Sequence, residues 1–161
     1  MKSVDVARGA VVGLVGGLLA AGAMSLAHRA LTSLSPEAQR SSGAQPEDPT
    51  VKVASAAMRL AGSRLADDQK ERAGSIVHYA FGGVVGALYG ASAAIVPRIS
   101  AAFGLPFGAV VWLGAHVLAV PTLGLAEPPT RQPVGKEAEE FGLHLLYGST
   151  TELVRRSLRR R

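Results

Sequence analysis

Four histidines, His28, His78, His116 and His144, are the side chains of this 161-residue sequence best suited to proton or metal chemistry in an otherwise apolar setting. His28 closes the first of three long uncharged stretches and His78 opens the second. His116 lies past the middle of the third, and His144 opens a shorter apolar run near the end. If the helices run up-down-up-down, all four belong to one half of a bilayer. An ionisable side chain at membrane depth is costly and is by default a candidate for function. Imidazole titrates near neutral pH and is a ligand for zinc, copper, iron and haem. His78, His116 and His144 therefore point to a proton-responsive or divalent-metal site in the outer leaflet. His116 is the deepest of them, and His144 can meet it across the bundle. His28, beside Arg29, reads as an interfacial residue.

Two carboxylates could join such a site, Glu140 and Glu152. Glu137 and Glu139 read instead as the acidic first turn of a helix, complementing its dipole. Glu152 lies one turn from Arg155 and Arg156, where an i to i+3 or i+4 ion pair is the ordinary reading and a proton acceptor the alternative. The chain has no cysteine, which excludes disulfides, thiolate metal sites and thiol redox chemistry. It carries no GxSxG, no phosphate loop, no HExxH and no dinucleotide fingerprint between a strand and a helix. It is therefore read as not an enzyme.

The elements that must position these residues follow from composition. Hydrophobic residues are 48% of the chain and charged residues 18%, with a mean hydropathy of +0.24. Gly9 to Ala27 is 19 residues without a charge, Ala73 to Pro97 is 25, and Ile99 to Ala126 is 28. About 20 apolar residues suffice to cross a hydrocarbon core. The uncharged part of the last run, Phe141 to Thr151, is 11 residues, so a fourth span must draw in flanking polar residues. Glu140, His144, Thr151 and Arg155 step by four, seven and four, one stripe of a helix, which should face the bundle interior. The expectation is an all-α polytopic membrane protein, a single domain over 1–161. Its four-helix transmembrane bundle has spans at approximately 7–31, 74–97, 103–125 and 138–156, the last short and polar.

A polar loop over 32–72 joins the first two spans. Pro36, Pro46, Pro49, Ser41, Ser42 and Gly43 mark its first part as irregular. Val51, Ala54, Met58, Ala61 and Leu65 then recur at steps of three and four, which predicts a short amphipathic helix. Ser25-Leu26-Ala27 resembles a signal cleavage site, but the apolar run before it is long and Asp5 precedes it, so the first span is expected to be retained. The net charge is +5, concentrated in Arg155, Arg156, Arg159, Arg160 and Arg161. That cluster reads as a cytoplasmic anchor on anionic lipid rather than a nucleic-acid tail. With four spans, both termini are then cytoplasmic.

Glycine supplies the packing. Gly9, Gly13 and Gly17 form one GxxxGxxxG ridge and Gly82, Gly86 and Gly90 a second, while Gly104 and Gly108 begin the third span. Small residues every fourth position let membrane helices approach closely, within the chain or between copies in a homo-oligomer. A partial internal repeat sets His78, Phe81 and Gly82 beside His144, Tyr147 and Gly148, and predicts two helices of equal direction with their histidines at matching depth.

Several motifs together carry a resemblance. They are Trp112-x3-His116-x4-Pro121-x2-Gly124-Leu125 with Pro128-Pro129, then Glu140-Phe141-x2-His144, then Glu152-x2-Arg155-Arg156-x-Leu158. With His78, Tyr89-Gly90 and Pro97, this string over roughly Ile76 to Arg159 is similar to the YagU-like family of bacterial inner-membrane proteins, a family of unknown function. The resemblance implies a small multi-pass inner-membrane protein and brings no active site with it. Three functional readings stand, in this order. The first is a proton- or metal-responsive module, the second a structural or assembly protein packing with membrane partners, and the third a b-type haem carrier.

Overall fold

The computed structural model describes residues 3–34 and 47–159. The loop expected over 35–46, with Pro36, Ser41, Ser42, Gly43 and Pro46, and the terminal Arg160 and Arg161 lie outside the described residues. Helix α1 is Ser3–Leu34, 32 residues, roughly 48 Å at 1.5 Å per residue. Helix α2 is Pro49–Leu60. Asp48 caps it, its carboxylate accepting from Thr50 N at 2.8 Å, and Pro49 takes the first helical position, where its missing N–H costs nothing. Helix α3 is Asp67–Ile95, opened by Asp67 and Asp68 against its dipole.

Pro97 stops α3 and starts a 3-10 stretch, Pro97–Gly104. That stretch is interrupted: Ala102, Phe103 and Gly104 stand in succession at φ of 49°, 53° and 78°. A left-handed conformation costs a residue with a Cβ roughly 1–2 kcal/mol, so the surroundings must hold it. Arg156 does so. Its Nη2 donates to Ser100 O at 2.8 Å, and its guanidinium lies 4.3 Å from the centre of the Phe103 ring. Helix α4 then runs over 105–122, α-helical at Leu105–Val111, π-helical at Trp112–Ala119 and α-helical again at Val120–Thr122. Pro121 offers no N–H and its ring crowds the carbonyl one turn earlier, which is reason enough for the wide turns just before it. After a turn with Gly124 at φ 68° comes helix α5, Val134–Arg159.

Backbone lies on backbone where the glycines meet. Gly9, Gly13 and Gly17 of α1 face Gly90, Gly86 and Gly82 of α3 in antiparallel order. A Cβ built on Gly13 would collide with Gly86 O, and one on Gly86 with Gly13 O. Helix α5 closes on α1 through Gly16 and Thr151 and on α4 through Gly148 against Gly104 and Gly108. Helices α3 and α4 meet through side chains, Tyr89 stacking on Phe107 with ring centres 4.1 Å apart. Helix α3 runs parallel to α5, and Tyr147 donates to Gly82 O at 2.6 Å, so the two members of the internal repeat touch. Helix α2 covers the start of α3, with Val51 and Thr50 against Gly74. Lys52 Nζ donates to Leu125 O at 2.6 Å.

The distribution of residues is inverted relative to a water-soluble bundle. The interior is glycine, alanine and tyrosine, and its largest fully buried side chains are Glu152 and Thr151. Outside, Val11, Leu19, Leu88 and Val110 each expose more than half of their surface. An apolar girdle of that kind is covered in a stable protein. Three helical segments are long and apolar enough to cross a membrane, Asp5–Leu34, Asp67–Ile95 and Pro97–Thr122.

The expected architecture is corrected in three respects. Helix α5, expected to be short, is 26 residues, yet its charges from Lys136 to Arg159 keep it outside the three segments that qualify on composition. The third segment is not one regular helix, because the chain breaks at Ala102 and Phe103. The amphipathic helix ends at Leu60, with Ala61 and Gly62 turning the chain away, so Leu65 is not part of its face.

Candidate functional site

Trp112 and His116 stand one turn apart on α4, in its π-helical part, and both turn toward the first half of α5. The Trp112 ring packs edge-on against Phe141, centres 5.0 Å apart, and lies at 6.3 Å and 19° to the His116 ring. His116 and His144 follow, with ring centres 6.0 Å apart. His116 Nε2 is 3.1 Å from Glu137 Oε2. An ionised carboxylate only accepts, so the proton of that contact sits on Nε2. His144 Nδ1 is 2.7 Å from Glu140 O, and a carbonyl likewise only accepts. His144 therefore carries its proton on Nδ1 when neutral, which leaves Nε2 as a free acceptor. Trp112 Nε1 is buried and has no partner among the described residues. The site thus offers an unspent donor on Trp112 and an unspent acceptor on His144.

Local sequence accounts for this placement. Trp112-x3-His116 puts both rings on one face of α4. On α5, Glu137, Glu140, Phe141 and His144 recur at three, one and three residues, one face again. Glu137 is in the first turn of α5, where a carboxylate is favoured by the helix dipole, and here it also meets a partner. The dipole of α5 alone does not reveal the imidazole, because that partner comes from another helix 21 residues away.

Of the three histidines expected to form one site, His116 and His144 are brought together and His78 is not. His78 Nε2 lies 3.4 Å from Ala21 O of α1, and its ring stands edge-on to Tyr79. His28 is exposed near the end of α1, and with His116 it acts electrostatically on Glu140. Among the described residues no three His, Asp or Glu side chains are grouped to hold a metal ion. Of the expected proton or metal site at His78, His116 and His144, the structure brings together the His116 and His144 rings, with Glu137 bonded to His116.

The opposite end of the bundle holds a second polar cluster. Glu152 Oε2 accepts from Tyr89 Oη of α3 at 2.8 Å and from Arg155 Nε at 2.6 Å. Its Oε1 accepts from Arg155 Nη2 at 2.8 Å and Arg156 Nε at 2.5 Å. Arg155 was expected both on the inward stripe of α5 and among the lipid-anchoring arginines. It is turned inward, 5% exposed, with Thr151 and Glu152, and so does not serve as a lipid anchor. Arg155 Nη1 is buried without a partner among the described residues, while Arg156 remains 33% exposed and Arg159 is exposed. Tyr89 was overlooked as a site residue. A tyrosine inside a glycine-rich span needs a partner for its hydroxyl, and that is the signal that could have found it.

Comparison with known proteins gives one relationship. No curated protein and no solved structure matches the chain. A family model described as "Protein of unknown function (DUF1440)" matches residues 49–153, a stretch that runs from the first residue of α2 to near the end of α5. On that match the chain belongs to the DUF1440 family, whose function is unknown.

Proposed function

We propose that this is a proton-responsive membrane module with four membrane-embedded helices and both termini cytoplasmic. Its sensing contact is His116–Glu137, backed by His144. The observation that carries the reading is the 3.1 Å approach of His116 Nε2 to Glu137 Oε2 beside a second imidazole 6.0 Å away. The charge-assisted form of that bond needs a protonated imidazole and an ionised carboxylate. Imidazole changes charge between about pH 5 and 8, so the α4–α5 contact is tighter at the acidic side of that range and looser at the alkaline side. A second proton, on His144, would meet the first across rings whose centres are 6.0 Å apart. Glu137 of α5 meets His116, and His78 of α3 acts electrostatically on His144, while His28 of α1 and Lys136 and Glu139 of α5 act on the neighbouring Glu140 carboxylate.

Topology supports the same reading. Among the described residues, the end that holds Arg8, Arg98, Arg155, Arg156 and Arg159 carries only Asp5 and Glu152 as acids. The end that holds the histidines has its cations nearly balanced by acids. Positive flanks stay in the cytoplasm, which supports an outer-leaflet position for the histidine pair. Helix α5 enters the bilayer because its charged residues Glu152 and Arg155 neutralise each other inside the bundle.

Trp112 is the single tryptophan of the chain and reports on the site from within. Its emission is expected to change with pH between about 5 and 8, and His116→Gln or Glu137→Gln should flatten the change. Emission that stays constant across that range in the wild type, or an unchanged response in both variants, defeats the proposal.

A further inference from the structure

Between α3 and α4 runs a groove of about 490 Å³ that is not part of the histidine site. Phe81, Leu88, Ile99, Phe107, Val110 and Ala115 give it an apolar wall, and its polar lining is limited to Tyr89 and Ser92. The Tyr89 hydroxyl is already committed to Glu152. Leu88 and Val110 on the wall are widely exposed, so the groove opens sideways on the face of the bundle that lipid covers. Its lining runs from Ile99 to Ala119, which spans most of the depth of α4. It therefore suits an unbranched apolar chain and not a polar ligand.

The cytoplasmic end of the groove is positively charged. Ile99 lies between Arg98, which is exposed, and Ser100, whose carbonyl anchors Arg156. Glu152 neutralises one guanidinium of the Arg155–Arg156 pair. The half-exposed Arg156 is left in excess, laid over Phe103. We propose that this groove holds one acyl chain of an anionic phospholipid of the cytoplasmic leaflet, with its phosphate taken by Arg156 and Arg98. The site rests on the membrane reading and its orientation, and is independent of the histidine pair. Both observations are needed for it: an apolar channel of chain-like shape, and a cationic mouth at the depth where the headgroup of that chain would lie.

Native mass spectrometry of the detergent-purified full chain tests it, with phosphatidylglycerol and phosphatidylcholine of identical acyl chains as probes. One phosphatidylglycerol per chain should be retained in preference to phosphatidylcholine. Each basic residue near a membrane surface contributes roughly five-fold in affinity, so Arg98→Gln should lower phosphatidylglycerol binding about five-fold and leave phosphatidylcholine unchanged. Arg131→Gln, at the opposite end, should leave the binding of both lipids unchanged. Arg156→Gln loosens Glu152 as well, which is why Arg98→Gln carries the headgroup test. A Cβ on Gly114, which lines the groove, meets nothing within 4 Å, so Gly114→Leu fills the groove and should weaken both lipids. Equal binding of the two lipids, insensitivity to Gly114→Leu with helix content unchanged, or a dimer that excludes lipid overturns the site. Release of the chain from membranes by alkaline carbonate overturns the membrane reading instead, so the two failures are told apart.

Discussion

Glu152 is gripped by Arg155 through two parallel hydrogen bonds, Nε at 2.6 Å and Nη2 at 2.8 Å, with both side chains closed to solvent. Removing one partner of such a pair leaves an uncompensated buried charge and costs about 3–5 kcal/mol. Glu152→Ala should therefore unfold far more readily in detergent than Glu71→Ala, a change at an exposed position. Replacing both partners by leucine should recover much of the loss, since a well-packed apolar pair needs no desolvation. Unfolding midpoints of the three variants check this. Equal midpoints for Glu152→Ala and Glu71→Ala would show that the pair contributes nothing.

Two glycines separate contact from mere composition. A Cβ on Gly86 would strike Gly13 O and lie 2.7 Å from Gly17 Cα, whereas one on Gly142 meets nothing within 4 Å. Gly86→Ala should cost about 1–3 kcal/mol through overpacking. Gly142→Ala should be neutral, or stabilising by up to about 1 kcal/mol from helix propensity. Thermal unfolding in a single detergent reads both, and a loss of the same size at Gly142 would contradict the packing described.

Much of the architecture was legible because long uncharged runs leave the backbone few alternatives to a helix. The ridges Gly9-Gly13-Gly17 and Gly82-Gly86-Gly90 lay within those runs, and so did the stripe that turns Thr151 and Arg155 inward. The length of α5 was hidden because Lys136, Glu137 and Glu139 look like a flank when only apolar residues are counted. The left-handed Ala102 and Phe103 carry no local mark. They are held by Arg156, more than fifty residues away. Glu137 was visible as a helix-starting acid, but its bond to His116 depends on how α4 and α5 are set against each other. His78 was grouped with the other histidines by depth alone, and depth says nothing about which neighbour a ring faces.

The histidine pair predicts a specific failure of additivity. If His116 and His144 titrate together, then His116→Ala, His144→Ala and the double variant should show the same loss of the Trp112 pH response, because one missing partner already disables the pair. His28→Ala, at an exposed position, should stay close to wild type. Independent partial losses that sum in the double variant would separate the two rings.

Orientation makes a prediction of its own. Reporter fusions at the two ends of the chain should both report the cytoplasm, by the positive-inside rule applied to Arg156, Arg159, Arg160 and Arg161. A periplasmic N-terminus with a cytoplasmic C-terminus would mean that α5 does not cross, and the histidine contact would then lie at a surface.

The seams of this bundle are unequal, and that inequality fixes where it yields. Glycine against glycine leaves no side chain that can rotate aside between α1 and α3, and Gly16 seats α1 directly on the Thr151 backbone of α5, so α1, α3 and α5 behave as a single wall. Helix α4 is joined to that wall by its glycines on the α5 side and by the Tyr89–Phe107 stack on the other. Two rings can part by turning about their own torsions, at the cost of one stacking contact, while a glycine seam parts only by moving whole helices. Among the described helices the seam between α3 and α4 is therefore the soft edge, and in the proposed membrane setting that edge would border the hydrocarbon rather than the water on either side.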